Sequence, residues 1–321
     1  IDKELPVSDI ASIINTAKCE YIFFAADVAE KIKAVCAEAP VVTHLVSMCG
    51  EVEGATPLTD LRAAGAKKFA AGDRTYFEYP INNEKLSSIV FTSGTTGQGK
   101  GVMLSLKNIC SDMEQGMYNF EITERTLFAL PPHHTFGSTV NFVGHFAQGC
   151  EVYISSGLRY IMEELKTFKP THLILVPLFV ETFYKRILAG AEKAGSLEKL
   201  QNGIKVSNNL RKVGVDMRSK LFGKSVLSNF GGELKMIICG GAALNQSIID
   251  FFEGIGVVIL NGYGITECSP IVSLSKYDGN KPGSVGLPIK AVQVKTINNN
   301  EDGEGEICVK GPNVMLGYYK N

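Results

Sequence analysis

Residues 86–101 read LSSIVFTSGTTGQGKG, an apolar stretch that runs into a loop rich in glycine and hydroxyl side chains. The first seven residues have the composition of a strand. From residue 92 onward the stretch contains four hydroxyl residues, four glycines and Lys100. Because glycine lets a backbone approach a ligand closely, N–H groups, hydroxyls and a lysine can surround phosphate oxygens here. The stretch therefore predicts a phosphate-binding loop.

Two other interpretations of this loop remain open. Residues 94–100 fit the pattern G-x-x-x-x-G-K of a P-loop NTPase, which needs Ser or Thr after the lysine and a helix immediately behind it. Here Gly101 and an apolar, strand-like stretch follow. We therefore expect the loop to join two strands, with a P-loop-like NTPase and a plain polar hairpin loop as the alternatives.

Short apolar runs alternate with amphipathic stretches on both sides of this loop. Residues 7–17 have helical spacing, for example, and residues 21–25, 41–46 and 151–154 have the composition of strands. Such alternation predicts an α/β fold with two mainly parallel sheets flanked by helices. After residue 273 short β runs are separated by Gly, Asn and Asp, which favours part of a small antiparallel β-barrel. We expect three parts, residues 1–118, 119–275 and 276–321.

The composition excludes several classes of protein. The 321 residues include 32 Lys and Arg against 33 Asp and Glu, with 45% hydrophobic residues. These values are typical of a globular chain and argue against disorder and against a nucleic-acid partner. No apolar run reaches the roughly 18 residues of a membrane span. Eight scattered cysteines without a CxxC pair favour reduced core thiols in a cytoplasmic protein, and the start at Ile1 suggests a piece of a longer one.

The string TSGTTGQGKG resembles the phosphate-loop signature of the adenylate-forming (AMP-binding) enzymes, the acyl-CoA synthetase and luciferase superfamily. That signature usually reads TSGTTGxPKG, so Gly99 stands in place of proline. Further motifs in family order are LPPHHTFG at 130–137, KPTHLILVP at 169–177, CGGAA at 239–243, NGYGITE at 261–267 and GSVGLP at 283–288. The resemblance covers nearly all of the chain, and residues 190–232 look most like long-chain fatty acyl-CoA synthetases.

The resemblance implies a role for each matching residue. The implied catalytic residues are Thr266 at the α-phosphate, Glu267 on Mg²⁺, Lys100 on phosphate and His134 at the mouth of the acyl pocket. Tyr263 would pack on adenine. The implied nucleotide-binding set is Thr92, Ser93, Gly94, Thr95, Thr96, Gly97, Lys100, Gly241, Ala242, Ala243, Asn261, Gly262, Tyr263 and Thr266.

The implied fold is the layered αβαβα N-terminal domain of an acyl-CoA synthetase, without the C-terminal catalytic domain. The implied reaction uses ATP and Mg²⁺ to convert a carboxylic acid, such as a fatty acid, to acyl-AMP. A thiol of CoA or phosphopantetheine then takes the acyl group. Family members that load amino acids carry Asp at the place of Gly137, so an acid without an α-amine is favoured. A non-catalytic nucleotide-binding module remains a further alternative.

Overall fold

The computed structural model describes residues 1–92, 99–117, 124–277 and 281–320. The chain divides into two compact units, Ile1–Met103 with Gly317–Asn321, and Leu104–Leu316. The division into three parts that we expected from the sequence stays a prediction. The predicted α/β class is confirmed, with parallel and mixed sheets flanked by helices.

The strands are short and are numbered here in chain order. They are β1 (Tyr21–Ala25), β2 (His44–Cys49), β3 (Thr56–Pro57), β4 (Leu86–Thr92), β5 (Lys100–Ser105), β6 (Arg125–Phe128), β7 (Glu151–Ile154), β8 (His172–Leu175), β9 (Met236–Cys239), β10 (Val258–Gly264), β11 (Ile271–Leu274), β12 (Leu287–Pro288), β13 (Gln293–Ile297), β14 (Glu306–Lys310) and β15 (Gly317–Tyr318).

The helices vary from one turn to nearly five. The α-helices are α1 (Val7–Ala17), α2 (Ala29–Glu38), α3 (Leu58–Ala70), α4 (Thr75–Glu78), α5 (Leu106–Met117), α6 (His145–Ala147), α7 (Ile161–Phe168), α8 (Pro177–Lys193), α9 (Leu197–Lys212), α10 (Arg218–Phe222) and α11 (Gln246–Ile255). Phe136–Gly144 forms a π-helix, and Ala26–Val28, Leu227–Phe230 and Thr266–Cys268 form short 3-10 helices. In the part of the chain that the structure describes, no helix combines the length and apolarity needed to cross a bilayer.

The first unit contains two three-stranded sheets. In one, β1, β2 and β3 are parallel, and helices α1 and α2 build a small core around Ile10, Ile14 and Val35. In the other, β5 lies between β4 and β15. Because β4 and β5 are neighbours, the glycine-rich loop joins two strands of one sheet, as the sequence predicted.

The second unit is built on a seven-stranded sheet in the order β12-β11-β10-β9-β8-β6-β7. Strands β7, β6, β8, β9 and β10 are parallel, whereas β11 and β12 run antiparallel at one edge. The chain passes from β6 to β7 in one direction and then returns to place β8 on the other side of β6. Strand order therefore reverses between β6 and β8. β13 and β14 form a separate antiparallel pair, and the described strands do not close into a barrel.

Side chains of the central strands alternate between two cores. On one face Leu173, Ile237 and Ile259 pack against helices α7 to α11. On the other, the paired residues Ile174, Ile238 and Leu260 face a second core. Strands that are buried on both faces are typical of parallel sheets. The second core supports the candidate site.

Candidate functional site

A cavity of about 380 Å³ lies within the second unit, at the carboxyl ends of β6, β8, β9 and β10. This edge, where strand order reverses, is the usual ligand position in open α/β sheets. The cavity is lined by Leu130, Pro131, His134, Thr135, Phe136, Gly137, Val140, Val176, Ile238, Gly240, Gly241, Gly262, Tyr263, Gly264, Ile265, Thr266, Pro270, Ile271, Ser273 and Leu274.

The cavity gathers five residues that the sequence singled out. Gly241 follows β9, and Gly262 and Tyr263 lie on β10. Thr266 begins the 3-10 turn after β10, and His134 precedes the π-helix. These positions follow from topology, because the ends of neighbouring parallel strands meet at one edge of the sheet. Three separate motifs therefore contribute to one cavity.

Other predicted site residues lie outside this lining. Ala242 and Ala243 are exposed after β9, and Asn261 is half-buried on β10. Thr92 ends β4 and Lys100 begins β5, both in the first unit. Ser93, Gly94, Thr95, Thr96 and Gly97 lie outside the described residues. Within its own unit, Lys100 places its Nζ 5.1 Å from the centre of the Tyr318 ring.

Two glycines at the cavity have no room for a side chain, and a third has little. A Cβ on Gly137 would lie 2.3 Å from the carbonyl oxygen of Pro131. A Cβ on Gly264 would lie 2.1 Å from the Pro270 oxygen, and one on Gly240 would lie 3.1 Å from the Phe136 ring. The motif glycines are therefore required by close approaches within the wall of the cavity, before any ligand is considered.

The floor of the cavity is apolar, and part of it lies in the motifs that the sequence singled out. It includes Phe136, Val140 and Val176, which lie on the π-helix and directly after β8. Phe136 and Val176 belong to the motifs at 130–137 and 169–177, whereas the only signal for Val140 is apolarity, which it shares with ordinary core residues. Among the described lining residues none is acidic, and His134 is the one basic side chain. A hydrophobic group fits this floor, whereas an ammonium group would lack a counter-charge.

The turn after β10 carries Thr266 and Glu267 and is closed by its own backbone. Ile265 N–H donates to Pro270 O at 2.9 Å, and Ser269 N–H donates to Thr266 O at 3.1 Å. Burial, together with the nearby carboxyl groups of Asp112 and Glu267, raises the pKa of Cys268 to about 12. The thiol is therefore uncharged at neutral pH, and this cysteine is not an activated nucleophile.

This turn fits a magnesium ion only if substrate phosphates supply part of the ion's ligands. Among the described residues no group of three or more His, Cys, Asp or Glu side chains could hold a metal ion. Mg²⁺, however, is commonly bound by one or two carboxylates together with substrate phosphates. The half-buried Glu267, one residue after the cavity-lining Thr266, fits that donor set.

Comparisons with known proteins find a family match and several similar sequences. The chain matches the family of AMP-binding enzymes over residues 1–319. It is 32% identical over 304 residues to the probable acyl-activating enzyme 16, chloroplastic, of Arabidopsis thaliana, with 79% of this chain and 42% of that protein covered. It is 30% identical over 292 residues to long-chain-fatty-acid–CoA ligase 1 of Homo sapiens, with 85% and 40% covered.

Solved structures show the same fold. The anthranilate CoA ligase AuaEII in complex with anthranoyl-AMP matches with a TM-score of 0.73 and 20% identity. ATP-bound MatB from Rhodopseudomonas palustris matches with a TM-score of 0.69 and 22% identity. Each match covers 100% of this chain and 56% of the other.

The chain spans about 40% of the length of the curated relatives named above. Within that span the family match is nearly continuous, and the solved structures share the fold. The resemblance read from the motifs is thereby confirmed. The chain belongs to the AMP-binding enzyme family.

Proposed function

We propose that the protein activates a carboxylic acid with ATP and passes the acyl group to a thiol. The acid's carboxylate attacks the α-phosphorus of ATP, the bond to pyrophosphate breaks, and acyl-AMP forms. A thiol such as that of CoA or phosphopantetheine then attacks the acyl carbon and releases AMP. The observation that carries this proposal is the single cavity in which Gly241, Tyr263, Thr266 and His134 meet beside an apolar floor.

The residues at the cavity can do this work by position and charge. Tyr263 offers an aromatic face to a purine, and Thr266 offers a hydroxyl donor to a phosphate oxygen. Glu267 would hold Mg²⁺, which neutralises phosphate charge when it is bound. His134, exposed at the rim, would lie near the reacting carboxylate. Residues 92–97 and Lys100 keep their predicted role as the phosphate-binding loop.

The acid is proposed to be an apolar one, of the fatty-acid class. Gly137, where amino-acid-loading enzymes carry an acidic residue, has no space for a side chain. No acidic side chain is found among the described lining residues, so an α-ammonium group would be unpaired. The names of the relatives, long-chain-fatty-acid–CoA ligase among them, support the same class.

The P-loop alternative is not favoured. A P-loop places its lysine at the start of a helix, with a hydroxyl residue next to it. Here Lys100 begins strand β5 and Gly101 follows it. A P-loop enzyme would also hydrolyse ATP without a carboxylic acid, which provides a simple biochemical distinction.

Carboxylate-dependent exchange between ATP and pyrophosphate tests the proposed function. The full-length protein is assayed with acids from acetate to long-chain fatty acids, beside Glu267→Ala and the exposed turn variant Glu301→Ala as a matched control. We expect exchange that requires an acid, falls by about 10²–10³-fold in Glu267→Ala and is unchanged in Glu301→Ala. The absence of exchange with every acid, or full activity of Glu267→Ala, would contradict the proposal.

A further inference from the structure

A buried asparagine far away in the sequence holds the turn that follows β10. Asn313 is 1% exposed, and its Nδ2 donates to Cys268 O at 2.9 Å and to Ile271 O at 2.8 Å. The same nitrogen lies 3.3 Å from Asp112 Oδ1. One side chain therefore bridges the two ends of the segment 268–271.

Three further hydrogen bonds tie the same turn. Ile271 N–H donates to Asp112 Oδ1 at 2.9 Å, and the Ser269 hydroxyl donates to Asn313 O at 2.9 Å. Met315 N–H donates to Glu267 O at 2.8 Å. The main chain or side chain of Glu267, Cys268, Ser269 and Ile271 is thus bound by α5 and by residues 313–315.

The anchoring segment is itself fixed on its other side. Asn108 on α5 donates through Nδ2 to Pro312 O at 2.9 Å and to Val314 O at 2.8 Å. These bonds flank Asn313 and fix the backbone that carries its side chain. The anchor is therefore attached to a helix, rather than to a free loop.

The turn needs such support. Ser269 has φ 72°, in the left-handed region that residues other than glycine adopt only at a cost. The backbone oxygens of Cys268 and Ile271 belong to buried residues, where an unpaired carbonyl is unfavourable. Without the Asn313 amide, the observed conformation would lose the donor that both oxygens share.

We propose that Asn313 is a positioning residue for this site, which holds the turn after β10 so that Thr266 and Glu267 face the reacting phosphates. This inference rests on the proposed function. An amide is the group required here, because Asp would bring a carboxylate against two carbonyl oxygens and Asp112. Gln is one methylene too long for the same short bonds, and Ala offers no donor.

The test compares Asn313→Ala with a variant that lowers stability elsewhere. Leu200→Ala is suitable, since Leu200 is a residue of α9 that packs in the large core of the second unit and does not line the cavity. Ser269→Ala is a milder second variant, which removes the hydroxyl bond to Asn313 O. Carboxylate-dependent exchange is measured on the full-length proteins at a temperature at which circular dichroism shows each to be folded.

We expect Asn313→Ala to lower kcat about 10- to 100-fold, with the KM for the acid changed by no more than about threefold. Leu200→Ala should keep kcat despite a lower Tm. Equal kcat values for Asn313→Ala and Leu200→Ala would overturn this inference and leave the proposed function standing. If Asn313→Ala does not fold, unchanged kcat in Ser269→Ala overturns it and reduced kcat supports it. A wild-type protein without exchange would overturn the proposed function and this inference with it.

Discussion

At the scale of single residues, the site depends on positions where only glycine fits. Gly264 ends β10, and its α-carbon faces the backbone of Pro270 so closely that a methyl group would lie 2.1 Å from an oxygen. That approach lets the chain reverse directly behind Tyr263 and bring Thr266 to the cavity. Gly264 of the NGYGITE motif thus serves the shape of the turn.

In the Gly264→Ala variant the second unit should unfold more easily, and exchange activity should be abolished. The added Cβ forces the backbone of Pro270 or Gly264 to move, which we expect to cost at least about 2–3 kcal/mol in the free energy of unfolding. Urea denaturation measures the change.

Gly190→Ala on α8 is the matched control, because its Cβ would meet nothing within 4 Å. In a helix interior that change should stabilise by about 0.5–1 kcal/mol. Similar free energies of unfolding for the two variants would contradict the steric argument.

At the scale of elements, helix α5 begins with a reciprocal pair of hydrogen bonds. Asn108 N–H donates to the Ser105 hydroxyl at 3.1 Å, and Ser105 N–H donates to Asn108 Oδ1 at 2.8 Å. Two of the otherwise unpaired N–H groups at the helix start are satisfied in this way. The same Asn108 holds the 312–315 turn, so helix capping and site support share one residue.

Ser105→Ala should destabilise the chain by about 1 kcal/mol, within the range for loss of a helix cap. The buried Asn108 N–H would lose its acceptor, which places the cost toward the upper part of that range. Chemical denaturation checks it against Ser225→Ala, an exposed serine in another part of the unit. Identical midpoints for both variants would show that the capping pair contributes nothing.

At the scale of the whole molecule, buried polar groups link the stability of the second unit to pH. His145 and His172 are fully buried and stacked, with ring centres 4.8 Å apart. His145 Nδ1 donates to Val140 O at 2.7 Å, if that nitrogen carries the proton. Burial lowers the pKa of His145 to about 4, and burial with the neighbouring His145 lowers the pKa of His172 to about 3.

Acid should therefore destabilise this unit. Above about pH 6.5 both imidazoles are neutral in the folded and unfolded states. As the pH falls from about 6.5 toward 4, only the unfolded chain takes up these protons, at a cost of about 1.4 kcal/mol per pH unit for each histidine. Burial raises the pKa of the Asp112 carboxyl, which acts in the opposite direction, so a variant is needed to isolate the histidines.

His172→Asn provides that comparison, since Asp112 is unchanged in it. The free energy of unfolding should fall less steeply between pH 6.5 and 5 than in the wild type, by about 1 kcal/mol per pH unit. Ser225→Ala, at an exposed position of the same unit with no titratable group, is the control and should keep the wild-type slope. If the free energy of unfolding falls with the same slope in the wild type and in His172→Asn, His172 does not contribute to the pH dependence.

Much of the fold was determined by the local pattern of the sequence. Helix α1 and strands β1, β4 and β7 coincide with the predicted stretches, because their local composition and apolar spacing are enough to indicate the element. The strand expected at 41–46 lies instead at His44–Cys49. Val41 and Val42 are apolar because they pack against the first unit's core, and apolarity alone cannot distinguish the two environments.

The cysteines also show that residue type alone does not predict burial. All eight are free, as expected, but Cys49 and Cys110 are exposed and only Cys239 and Cys268 are buried. The weakly periodic stretch 190–232 contains helices α9 and α10, whose apolar side chains contribute to the large core beneath the sheet. Tertiary packing decides such cases, because burial depends on partners distant in the sequence.

The sequence by itself determined the family and the α/β class, and it predicted which residue types would meet phosphate, metal and purine, since these are encoded in contiguous motifs. Only the tertiary structure decided which side chains share the cavity. It also placed Asn313 against Cys268, a contact across 45 residues. The physical reason is that hydrogen bonds and packing between distant segments leave no periodic trace in the chain.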